Sequence, residues 1–173
     1  LYTDKRIKHI AQHVINDHQS NDPQVLSKKL DIIILPSNLG SKINGFLQYH
    51  EGANKYLIHL NNNLDYHDQQ ATLAHELGHF FLHKEFNTFK IKKTSIVLES
   101  KLESQANTFA AELLLPDSLL KGSNLCIRNL SAETIATRYN VPLAIAKIKY
   151  KQNKKLSIYN RRENFHENHV VII

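Results

Sequence analysis

Thr72-Leu73-Ala74-His75-Glu76-Leu77-Gly78-His79-Phe80-Phe81-Leu82-His83 is the stretch that decides how this 173-residue chain is read. Its apolar residues recur at helical spacing, and Asp65 stands where a cap is wanted, so a helix is predicted from Asp65 to about Leu82. On such a helix His75 and His79 lie one turn apart on the same face, and both imidazoles can reach one ion. Glu76 points about 100° around the axis from His75. It can therefore face an attacking water instead of the ion, take its proton and deliver it to a leaving amine. Ala74, Leu77 and Phe81 supply packing, and Gly78 leaves room for another backbone to approach. A five-residue pattern is short, and two solvated histidines on an amphipathic helix would look the same. The rest of the chain has to decide.

Two histidines leave a catalytic zinc one protein ligand short, with water as the fourth partner. A second helix, predicted from about Val97 to Leu115 and stopped by Pro116, carries Glu103-Ser104-Gln105-Ala106-Asn107. Glu103 can return to the first helix after a loop of sensible length, His83 to Ser95. Asn107, one turn further on, can accept a hydrogen bond from the distal nitrogen of a ligating histidine. Glu99, one turn before Glu103, is a rival ligand. His83 is a poor one, because eight residues separate it from His75, about 12 Å of helix rise.

Outward from these helices the chain alternates helix and strand. Asp4 to His18 has Ile7, Ile10, Ala11, Val14 and Ile15 on one helical face, and Asp22-Pro23 starts a second helix that buries Leu26 and Leu30. Ile32 to Leu35 is a short β-branched run ended by Pro36. Ile43 to His50 and Lys55 to Asn61 flank a turn at Glu51-Gly52-Ala53-Asn54 and form a hairpin, with Tyr56, Ile58 and Leu60 on one face. Ser131 to Tyr139 and Pro142 to Lys151 are two short helices around Asn140-Val141. The fold class is α+β: helices packed around a small β-sheet, with a zincin-like active-site helix and a short helix-turn-helix-like C-terminal segment. The division expected is a metallopeptidase domain over 1–125, a helical segment over 126–156 and a polar tail over 157–173.

Composition narrows the setting. Cys126 is the single cysteine, which excludes an intrachain disulfide and a cysteine-based metal cluster and suits a reducing, cytoplasmic compartment. No apolar run approaches the ~20 residues of a membrane span. The net charge of +6 is concentrated at one end. Arg138 to Arg162 holds eight basic residues and no acid, leaving 14 basic and 16 acidic residues elsewhere. The second helix there begins Pro142-Leu143-Ala144-Ile145-Ala146, which has nothing to read a base edge, so DNA contact is disfavoured. Lys147, Lys149, Lys151, Lys154 and Lys155 could meet phosphates or an acidic protein, though a solvated helix face is the commonest explanation of such a run. His9 and His13 share helical spacing without a partner acid and are expected on a solvated flank.

The segments Thr72 to His83 and Glu103 to Pro116 together resemble the ImmA/IrrE family of metallo-endopeptidases, as does the Ile58-His59-Leu60-Asn61 lead-in. The resemblance covers about Ile43 to Pro116. It implies a site with His75, His79 and Glu103 as ligands of one ion per chain. Zinc is the default, and the same set would hold manganese or cobalt. In thermolysin-like relatives the position matching Asn107 is typically an aspartate; asparagine orients without a negative charge. Leu115 stands where many family members have methionine, a volume-conserving change. The resemblance further implies an endopeptidase that cuts a helix-turn-helix transcriptional repressor. The rival is a regulatory protein- or DNA-binding module with a structural or vestigial metal site, against which the intact Glu76 argues. Tyr66, His67 and His83, which flank the helix, are candidates to stabilise the oxyanion.

Overall fold

The computed structural model describes residues 1–84, 96–121 and 130–154. Helix α1, Asp4–His18, opens where Thr3 accepts a hydrogen bond from the Arg6 N–H, and it buries Ile7, Ala11 and Val14. Helix α2, Pro23–Lys29, is capped by Asp22, whose carboxylate accepts from the N–H groups of Gln24 and Val25 at 2.8 and 3.1 Å. Both starts follow the sequence signals: a short acceptor before the first turn, and proline where its missing N–H costs nothing.

Three strands follow, β1 at Ile33–Ser37, β2 at Gly45–His50 and β3 at Lys55–Asn61. The sheet order is β1-β3-β2, with β1 parallel and β2 antiparallel to β3. The hairpin is as expected, except that its turn closes as a short 3-10 helix, Glu51–Ala53, ended by Asn54 in the left-handed region. Pro36 does not end the first strand. It lies inside β1, paired with Leu60, and is tolerated because β1 is an edge strand.

Helix α3, Tyr66–His83, starts at Asp65, whose carboxylate accepts from the Asp68 N–H at 2.9 Å. It lies across β2 and β3, where Leu47, Ile58 and Leu60 join Leu73, Ala74 and Leu77 in the core. Gly45 permits this close crossing, since a Cβ there would sit 2.7 Å from Thr72 Cγ2 and 2.8 Å from the His59 carbonyl oxygen. Helix α4, Ile96–Leu114, packs along α3 and is backed by α1. Its Ala106, Phe109, Ala110, Ala111 and Leu113 are fully buried.

After the short α5, Asp117–Lys121, helix α6 spans Ala132–Tyr139 and helix α7 covers residues 143–154. Asn140, with φ +51°, makes the turn between them. Ile135, Ile145 and Ala146 belong to the same apolar cluster as Leu73 and Leu113. One of the basic residues turns inward. Lys149 is 1% exposed, 2.6 Å from the buried Glu112 of α4 and 3.2 Å from Asp117. It is not available to phosphates or an acidic partner, because it supplies the counter-charge for a buried carboxylate. Lys147, Lys151 and Lys154 are exposed. Lys155, the remainder of the tail and all of the loop beyond Lys84 lie outside the described residues, as does Cys126.

Candidate metal centre

The close approach of α3 and α4 depends on Gly78. A Cβ on it would lie 2.9 Å from both Cα and O of Ala106, so only glycine lets the helix backbones touch here. Glu103 and Asn107 flank Ala106 on α4 and are thereby carried to the His75–His79 face of α3.

His75 Nε2 and His79 Nε2 stand 3.0 Å apart. Glu103 straddles them, one carboxylate oxygen 3.2 Å from His75 Nε2 and the other 3.3 Å from His79 Nε2. One donor atom from each of the three residues falls within 4.8 Å of the others, and among the described residues no other group of three such side chains converges this way. Glu99, the rival ligand, is not part of that group. Two imidazole nitrogens and a carboxylate aimed at one point form the donor set of a divalent transition metal.

The opposite ring nitrogens are also engaged. His75 Nδ1 is 2.9 Å from Asn107 Oδ1, the contact expected of Asn107 from its place one turn beyond Glu103. His79 Nδ1 is 3.2 Å from His83 Nδ1, and His83 Nε2 is 3.0 Å from Gln105 Oε1. His83 is 2% exposed. Its two nitrogens face His79 and Gln105, and it is not part of the converging donor group. Tyr66 and His67 occupy the start of α3, about 12 Å or more along the helix axis from His75. They line a separate hollow with Gln70, Tyr139 and Pro142. The sequence alone makes His83 only a poor ligand and an oxyanion candidate; the four-residue series His75, His79, His83 is the signal that could have placed it against His79.

Glu76 is buried at 5% exposure beneath β2, where the Leu47 backbone N–H hydrogen-bonds to it. Burial raises its pKa, and the nearby Glu103 adds to this, while His75, His79 and the Leu47 N–H pull the other way. A carboxylate held above its usual range is a better proton acceptor. Hydrogen bonds from His75 and His79 hold the Glu103 carboxyl far below its usual range. Burial disfavours a charge on His75, but Glu103, Glu76 and Asn107 outweigh it and raise its pKa. Burial lowers that of His83. Alongside Glu103 and Asn107 runs an open groove of about 510 Å³, whose far wall is Ile148, Lys151 and Gln152 of α7 with Asp4 of α1.

Residues 27–151 match the IrrE N-terminal-like domain of a peptidase family. The chain is similar to "Metallopeptidase ImmA" of Bacillus subtilis (strain 168), 45% identical over 152 residues, covering 88% of each chain. It is also similar to "Uncharacterized immunity region protein 2" of Bacillus phage phi105. There the identity is 35% over 143 residues, or 83% of this chain and 88% of the phage protein.

Proposed function

The chain belongs to the IrrE N-terminal-like peptidase family, and from that premise we propose that it is a zinc-dependent endopeptidase whose substrate is a helix-turn-helix transcriptional repressor. The observation that carries the reading is the convergence of His75 Nε2, His79 Nε2 and the Glu103 carboxylate beside a buried glutamate. The name of the B. subtilis relative supports a metal-dependent peptidase, and the phage relative's immunity-region name supports a substrate in repressor control.

In this reading His75, His79 and Glu103 hold the ion, and Asn107 orients His75. When bound, the cation polarises the scissile carbonyl and makes water a competent nucleophile near neutral pH. Glu76 accepts the proton that the attacking water gives up, then returns it to the amine nitrogen as the peptide bond breaks. Its burial keeps the proton transfer away from bulk water. The open groove beside Glu103 is where, in this reading, an extended polypeptide segment of the substrate lies.

The test uses the zinc-loaded full chain with candidate repressors, beginning with any encoded beside it. Wild type should cut one of them at a defined bond. Glu76→Gln should bind as much zinc and lose about 10²–10⁴-fold in rate. Undiminished cleavage by Glu76→Gln would remove Glu76 from the chemistry. Stoichiometric zinc with no cleavage of any protein would favour a regulatory binding role instead.

A further inference from the structure

The far wall of the groove beside Glu103 is built from two helices, α7 with Ile148, Lys151 and Gln152 and α1 with Asp4, facing Ser104 and Thr108 of α4. One chain of charges ties all three helices together. Lys149 of α7, buried, donates to the buried Glu112 of α4 at 2.6 Å and lies 3.2 Å from one oxygen of Asp117 at the start of α5. The other oxygen of Asp117 accepts from Lys8 of α1 at 2.5 Å. Each attachment lies within one helical turn of a groove residue. Lys149 stands between Ile148 and Lys151, Lys8 is one turn beyond Asp4, and Glu112 is one turn beyond Thr108. Burying an ammonium and a carboxylate is costly in desolvation, and an apolar pair of the same volume would hold two helices together as well. What an apolar contact lacks is direction. An ammonium shared by two acids from different elements fixes where α7 stands against α4 and α5 together, because sliding or turning the helix breaks a charge-assisted hydrogen bond.

We propose that Lys149 is a positioning residue for the substrate: through Glu112 and Asp117 it holds α7 at a set distance and orientation from α4, so that the groove has one width for the polypeptide segment that lies in it. This rests on the reading of the groove as the path of the substrate. Lys8 ties α1, the other part of the wall, to the same Asp117 carboxylate. A loose wall would have to be ordered as substrate binds, and that ordering would weaken binding without touching the chemistry that follows. Lys149 touches neither the ligand residues nor Glu76; it acts through the helix it holds.

The test joins a distance measurement to kinetics, both on the zinc-loaded full chain. Nitroxide labels at Ser100→Cys and Lys151→Cys, in a Cys126→Ser background, report the width of the groove by double electron–electron resonance. Lys149→Met alone strands the buried Glu112 carboxylate, so the comparison that keeps the fold is Lys149→Met with Glu112→Leu, an apolar pair in place of the charged one. Wild type should give one narrow distance distribution and the double variant a broader one, with zinc content unchanged. On a protein substrate that wild type cleaves, the unlabelled double variant should raise KM by about tenfold and leave kcat unchanged, as a loss of uniform binding does. A general loss of structure would instead lower kcat and zinc content together. A folded double variant with the wild-type distance distribution overturns the proposal, and so does a broadened distribution with wild-type KM. If wild type cleaves no protein, the peptidase reading fails, and the distance distribution alone decides whether Lys149 sets the position of α7.

Discussion

In the proposed site a proton and a metal ion would compete for one nitrogen of His75. Burial disfavours a charged ring, yet the Glu103 carboxylate 3.2 Å from Nε2, with Glu76 and Asn107, lifts the pKa above the usual imidazole value. Without metal, the ring can therefore hold a second proton in the place where an ion would sit. Zinc must displace that proton, so uptake should release acid and weaken as pH falls. The sign follows from the shift: a raised pKa keeps the competing proton bound to a higher pH than for a free histidine. Zinc affinity, measured by chelator competition between about pH 6 and 8, should drop by up to about tenfold per unit for each proton displaced. A flat profile across that range would mean that His75 Nε2 is not where the metal binds. Asn107 bears on the same atom from behind, through the 2.9 Å contact to Nδ1.

At the scale of elements the centre is the meeting of two helices, and its tolerance is set at their contact. Gly78→Ala would drive a methyl group against the Ala106 backbone. Main chain cannot rotate away as a side chain can, so α3 and α4 must part. Overpacking of this kind costs about 1–3 kcal/mol, and Glu103 should be drawn off the histidines with it. Thermal unfolding and zinc affinity should fall together; a variant with wild-type values for both would show that the close approach is unimportant. Gly78 was legible as a place for another backbone because small residues between ligands have few other uses. The pairing of His75 with His79 was legible from a four-residue spacing alone. Glu103 was not, since spacing cannot separate it from Glu99 one turn away, and the choice came from family resemblance. Pro36 was misread for a related reason: whether proline breaks a strand depends on which edge of the sheet it occupies, and strand order is not written in local sequence. Lys149 looked like its exposed neighbours because its partners, Glu112 and Asp117, lie 37 and 32 residues away in the chain.

For the whole molecule the open question is selectivity, since a water-activating site by itself would cut many peptides. Binding energy from contacts away from the scissile bond can position one substrate among many. The groove beside Glu103 has Lys151 on its far wall, and the exposed Lys147 and Lys154 lie on the same helix, α7. Reversing Lys147, Lys151 and Lys154 to glutamate should raise KM for a protein substrate at low salt and leave zinc content unchanged. The effect should shrink as salt rises, because exposed charges are screened over ~8–10 Å near physiological ionic strength. Equal cleavage by wild type and the triple variant at low salt would make this face an ordinary solvated surface. All of this presupposes an ion held jointly by α3 and α4. X-ray absorption at the zinc edge tests that joint site most directly, using wild type, Glu103→Ala and Glu99→Ala. Wild type should give two imidazole nitrogens at about 2.0–2.1 Å and carboxylate or water oxygen at about 2.0–2.2 Å. Glu103→Ala should lose an oxygen ligand, and Glu99→Ala should leave the spectrum unchanged. Fewer than two imidazoles in wild type, or a first shell altered by Glu99→Ala and not by Glu103→Ala, would contradict it.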